Sequence, residues 1–159
     1  MKRRKKERFL IRRMYFPQVK DLPVINKLMN QLSGKKRRLA LMKAHQVYVP
    51  AFVDEAMRVY AARDRKFKTE PMVGVAAIYF VQTLSGLKSG IEDVVVDKKY
   101  RGLGLGKKLV RALIGSAKRK KAKYIDLTSN PKRVEANALY QKLGFKKRET
   151  NVYRLELAS

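Results

Sequence analysis

Cysteine is absent from this 159-residue chain, which removes disulfides, thiolate metal sites and cysteine nucleophiles together. Histidine occurs once, as His45, and no cluster of metal-ligating residues accompanies it, so no metal is expected. Long hydrophobic runs are missing as well. The longest, residues 72–81, is the length of one strand, far short of the ~20 residues a membrane helix needs. The basic N-terminus leads into no hydrophobic signal segment, so the sequence reads as an intracellular, cytoplasmic protein without a membrane role. Acids are scarce: 13 Asp and Glu stand against 39 Lys and Arg, for a net charge of +26.

Hydrophobic residues, at 45%, are plentiful enough for one domain with a real core. A field of net +26 gathers anions, and the cations cluster at residues 2–6, 35–38, 118–123 and 146–148. Two readings stand side by side. The clusters are candidates for contact with nucleic acid or a ribonucleoprotein, or they form a solvated basic surface. The oligomeric state stays open between monomer and homodimer.

Residues 1–8 read as a basic flexible arm, and residues 9–159 as the folded domain. The patterning predicts a strand over 9–15, then a helix capped by Asp21 with Ile25, Leu28, Met29 and Leu32 on one face, ended by Gly34. A second helix is expected over 36–49, strands over 57–62 and 72–84, and a turn over 85–90 with Gly86 and Gly90 as breakers. A strand over 91–96, a helix over 105–120, a strand over 124–128 and a helix over 134–143 follow. Two further strands, 145–150 and 152–157, close the chain. The order describes a mixed α/β domain.

The segment Val94-Val95-Val96 leads to three glycines two residues apart, Gly102, Gly104 and Gly106, and then a helix. Strand, glycine turn and helix start form a phosphate site when backbone amides converge. The P-loop and dinucleotide patterns both fail, because each requires glycine where Lys107 stands. As bare pattern, the glycines also suit a tight turn that lets strand and helix approach.

Arg101-Gly102-Leu103-Gly104-Leu105-Gly106 resembles the pyrophosphate loop of the GNAT N-acetyltransferase family, which uses acetyl-CoA. Asn137-Ala138-Leu139-Tyr140-Gln141-Lys142-Leu143-Gly144-Phe145 resembles a second signature of that family, in the right order and spacing. The resemblance implies a single-domain fold with a mixed sheet of six to seven strands and about four helices. It implies acetyl transfer from acetyl-CoA to a primary amine, with coenzyme contacts from Val94, Val95, Val96, the loop 101–106, Lys107 and Asn137. Lys108 adds charge beside the loop, and Asn130 is a looser polar candidate.

An amine acceptor with a pKa near ~10.4 needs a base at neutral pH. Ile91-Glu92-Asp93 resembles the family's acidic strand opening, which makes Glu92 the candidate base, acting through water, with Asp93 the alternative. Tyr140 would be a core aromatic by its helical spacing; the resemblance makes it the candidate acid for the departing thiolate. Without cysteine, and with His45 away from both motifs, direct attack in a ternary complex is expected. The acceptor, small molecule or protein, has no motif of its own. Glu92, Asp93, Asp54 and Glu55 are the acids that could line its pocket. A body this basic repels polycations, so an amine on an anionic carrier is the expected acceptor.

Overall fold

Two apolar faces of one twisted sheet, each with its own helix, organise the computed structural model, which describes residues 7–15, 19–34 and 56–157. Strands β1 (Phe9–Met14), β2 (Met57–Asp64), β3 (Met72–Thr83) and β4 (Gly86–Val96) run antiparallel in sequence order, and β5 (Ile125–Leu127) joins β4 in parallel. Residues 72–78 of β3 are all buried, as expected of a central strand covered on both sides.

Helix α1 (Leu22–Ser33) covers one face. Its Ile25 and Leu28 pack with Met14, Val59, Ala61, Val75, Ala77 and Val95. Gly34 ends it at φ 69°, a left-handed C-cap whose amide donates to the Asn30 carbonyl at 3.0 Å. Helix α2 (Leu105–Arg119) covers the other face with Leu105, Leu109, Val110, Leu113 and Ala117. The alternation along β2 shows the division: Val59 and Ala61 meet α1, while Arg58 donates to Ser116 Oγ at 3.0 Å and Arg119 donates to the Tyr60 hydroxyl at 3.2 Å.

Four expectations change. Asp21 holds the N-cap position of α1 as expected, but its side chain makes no cap hydrogen bond; it ends a short 3-10 turn, and its carboxylate pairs with Arg63 at 3.0 Å. The turn over 85–90 shrinks to Leu84 and Ser85, because Gly86 takes the left-handed conformation at φ 117° and pairing with β3 begins there. Gly90 is no breaker but an interior strand position. The strands expected over 145–150 and 152–157 do not form: residues 145–157 pair with no strand, so their apolar alternation lacks the ladder it needs. The sheet therefore has five strands among the described residues, with three α-helices. The helix expected over 36–49 lies outside the described residues, as do His45, Asp54 and Glu55.

The chain divides into two compact units, Met1–Thr128 and Ser129–Ser159. The sheet, α1 and α2 belong to the first. The second holds α3 (Val134–Lys142) and the residues after it. Arg8, at the border of the basic arm, is anchored: its guanidinium grips the fully buried Asp64 at 3.1 and 2.9 Å. Among the described residues no helix is long and apolar enough to cross a membrane.

Candidate functional site

The site in the first unit starts from an irregularity in β4. Val95 faces Val75 and Glu92 faces Ala77, so three steps of β4 match two of β3. The extra residue is a β-bulge, and Asp93 lies in it at φ 55°. Aspartate tolerates this left-handed conformation better than most residues. The bulge lets Glu92 stay exposed on the α1 side while Val95, also on that side, returns to the core. On the opposite edge, pairing with β5 covers only Ser89, Gly90 and Ile91, and no other strand of the described residues joins that edge further along. β4 and β5 part company immediately before Glu92.

Val96 leads directly into the phosphate-type loop. Asp97 opens a 3-10 turn over Lys98–Tyr100, its carboxylate accepting from the Lys99 amide at 3.0 Å. Arg101 folds back toward the strand, donating from Nε to the Val96 carbonyl at a long 3.4 Å. Gly102 at φ 76° and Gly104 at φ 73° are both left-handed, a conformation that favours glycine at these two positions. A Cβ added at either would stand in open space, so the loop backbone is approachable from outside. Gly104 is the N-cap of α2, and the first intrahelical bond runs from Lys108 to the Gly104 carbonyl at 3.1 Å. The amides of residues 105–107 therefore have no intrahelical acceptor and point out of the helix start, toward the side where its dipole is positive. Lys107 and Lys108 are exposed beside them. Such an arrangement could serve as a cradle for an anion of pyrophosphate size, such as that of the coenzyme that the sequence resemblance implies.

One ion pair fixes where the cradle sits. Lys27 of α1 donates to Asp97 Oδ2 at 2.5 Å, and the α1 side chain of Gln31 accepts from the Lys98 amide at 3.0 Å. Burial alone would raise the Asp97 carboxyl, but the Lys27 ammonium and the Lys99 amide outweigh it and hold the group below the ordinary carboxylate range. Sequence reading missed Lys27, Gln31 and Asp97. The only local signal was the Asx-turn pattern of Asp97 before two lysines.

The second unit carries the other two candidates. Asn137 lies one turn into α3 and braces the entry to that helix, donating to the Asn130 and Pro131 carbonyls at 3.1 and 3.4 Å. Asn130 accepts from the Lys132 amide at 2.8 Å, an Asx turn. Tyr140 is half-buried with its ring edge-on to Phe145, 5.9 Å between centroids. The Tyr140 carbonyl accepts from the Leu143 and Phe145 amides, closing the helix end before Gly144 at φ 92°. Thus Glu92, Asp93, Val94, Val95, Val96 and the loop from Arg101 to Lys107 are neighbours along one strand–turn–helix path in one unit, whereas Asn137 and Tyr140 belong to the other.

Comparison with known proteins gives the family and the fold. The chain matches the model of the acetyltransferase (GNAT) family over residues 26–145. A glucosamine 6-phosphate N-acetyltransferase of Trypanosoma brucei brucei is 43% identical over 67 residues, which are 42% of this chain and 43% of that protein, so the match spans less than half of the relative's length. An acetyltransferase structure from Trypanosoma brucei superposes with a TM-score of 0.76 at 26% identity, over 94% of this chain and 99% of that one. A predicted acetyltransferase from Clostridium acetobutylicum, solved with acetyl-CoA, gives a TM-score of 0.69 at 19% identity over 94% and 96% of the two chains, a likeness of fold. The family match covers well over half of the sequence and includes both glycine and tyrosine motifs. The chain belongs to the acetyltransferase (GNAT) family, a family of acyltransferases.

Proposed function

We propose that the protein is a cytoplasmic N-acetyltransferase that moves an acetyl group from acetyl-CoA to a primary amine by direct attack. The observation that carries this reading is the continuity of bulge, splayed strand and left-handed glycine loop along residues 92–107. The loop amides, with Arg101, Lys107 and Lys108 around them, suit the coenzyme's phosphates. The edge of β4 along Val94, Val95 and Val96 suits its extended amide-bearing arm, which can align there as an added strand.

Acetyl-CoA, when bound, supplies an activated thioester. The chain supplies the rest. Glu92, exposed at the bulge, takes the amine proton through water; Asp93 is turned by its left-handed backbone and is the weaker choice. A β4 amide near Val95 polarises the carbonyl. The Tyr140 hydroxyl returns a proton to the thiolate. For the acceptor, the strong basic field favours an amine on an anionic carrier. The matched relative from Trypanosoma brucei brucei, named for glucosamine 6-phosphate, makes a phosphorylated amino sugar the first candidate. Initial rates with both substrates varied test the mechanism: intersecting lines support direct attack, and parallel lines with an acetylated protein seen by mass spectrometry contradict it.

A second reading has its own observation. No acid occurs between Asp97 and Asp126, and the solvent side of α2 presents Lys107, Lys108, Arg111 and Lys118, all exposed. Such a stripe suits a nucleic acid backbone beside the enzyme reaction. Retention on an RNA oligonucleotide that weakens steeply with salt tests it.

A further inference from the structure

Among the described residues, α1 covers its face of the sheet only part of the way. Val75 and Ala77 of β3 are in the core under α1, yet the next two residues on that face, Tyr79 and Val81, are 40% and 47% exposed. Opposite them on β4 stand Gly90 and Lys88, in the same row as Glu92, which faces Ala77. Beyond the base candidate, therefore, a partly exposed strip of sheet carries a carboxylate, a glycine and an ammonium in line.

The Tyr79 ring lies across that strip. A Cβ built on Gly90 would meet the Tyr79 ring and hydroxyl at 2.1 and 2.2 Å, so only glycine allows the ring its place. Glycine weakens a strand interior, by about 0.5–1 kcal/mol relative to alanine, and here the ring shields it from water. Covering a bare strand glycine would alone justify an aromatic neighbour. It does not account for the ring's open outer side or for the charges flanking it. Lys88 holds its ammonium 5.7 Å from the Tyr124 ring centroid, a cation–π contact that orders a long side chain at the end of the strip. Four residues of strand separate the Cα atoms of Lys88 and Glu92 by about 13 Å. A gap of that length suits a compact molecule rather than a polypeptide.

We propose that Lys88, Tyr79 and Gly90 form an acceptor subsite that takes a phosphorylated amino sugar flat against the ring. Lys88 binds the phosphate, Tyr79 stacks on the apolar face of the sugar, and the amine is delivered toward Glu92. This inference rests on the acetyl-transfer reading and gives it a specificity site. Tyr79 and Lys88 are binding and positioning residues, and neither handles the transferred proton.

Calorimetry separates this subsite from the reaction itself. Glucosamine 6-phosphate and glucosamine are titrated into wild type, Lys88→Gln and Tyr79→Leu, with and without coenzyme A, and melting temperatures are recorded. Wild type should bind the phosphorylated sugar at least tenfold tighter than the neutral one, and Lys88→Gln should erase most of that difference without moving the melting temperature. Tyr79→Leu keeps an apolar cover over Gly90 and should weaken both sugars about fivefold. Unchanged preference in Lys88→Gln, or equal wild-type affinity for the two sugars, overturns the subsite even if the protein acetylates another amine. Loss of coenzyme binding with the sugar preference intact would instead fault the acetyl-transfer reading alone. If Tyr79→Leu is poorly folded, Lys88→Gln still decides.

Discussion

Lys27 and Asp97, 70 residues apart in sequence, meet at 2.5 Å and tie the first helix to the start of the phosphate-type loop. The loop that follows is open backbone, so its position depends on this anchor and on the strand before it. Asp97→Asn keeps shape but loses the charge-assisted bond, which is worth about 1.5–3 kcal/mol where such bonds are well formed. Lys27 is more than half exposed, so the smaller end applies. Affinity for coenzyme A should fall roughly tenfold, with the fold intact, as read by calorimetry and circular dichroism.

A second prediction isolates the anion cradle from backbone strain. Gly104 is left-handed, so any β-carbon there is strained whatever its charge. Asparagine and aspartate both tolerate that conformation and have the same shape. Gly104→Asn should weaken coenzyme binding modestly, and Gly104→Asp should weaken it at least tenfold more, because a carboxylate would share the helix start with the pyrophosphate. Equal affinities in the two variants would remove the loop from the site.

The proton-transfer roles separate by pH and by step. Tyr140→Phe keeps the edge-on packing with Phe145 and loses only the hydroxyl, so kcat should drop by ~10²-fold while coenzyme affinity holds. Glu92→Gln should lower kcat/KM most at low pH, where the amine is most protonated. Flat, wild-type-like profiles for both variants would end this assignment.

Acid stability follows from Asp64. The Arg8 guanidinium, aided by the Lys66 amide, holds its carboxyl below the ordinary range against the opposing pull of burial. A depressed pKa means the stabilisation is complete above the unfolded value near ~3.9 and disappears as pH falls through the folded value. Urea midpoints should therefore fall on acidification below about pH 4. Asp64→Asn should start lower and lose less over the same window.

What the sequence disclosed, and what it hid, divides by range of interaction. The glycine loop was readable because Gly102 and Gly104 encode a local backbone requirement. The core stripe of α1 follows helical spacing, and Ile25 and Leu28 of it are buried. Gly90 misled because its reason is Tyr79 on another strand. Asp21 was legible as the N-cap position but not in its bonding, because Arg63, 42 residues away, takes the carboxylate that a side-chain cap would have used. The alternation of Val152, Arg154 and Glu156 against Tyr153, Leu155 and Leu157 looked like a strand, yet alternation prepares a face and does not supply a partner. The bulge at Asp93 had no local sign, since only the register with β3 reveals the extra residue.

The central claim is acetyl transfer to an amine on an anionic carrier, and one measurement tests it most directly. The kcat/KM for glucosamine 6-phosphate and for spermidine is followed with acetyl-CoA as ionic strength rises. A protein of net +26 should prefer the phosphorylated amine, with kcat/KM falling as salt screens the attraction. Efficient acetylation of spermidine at low salt, with no turnover of glucosamine 6-phosphate, would contradict the account.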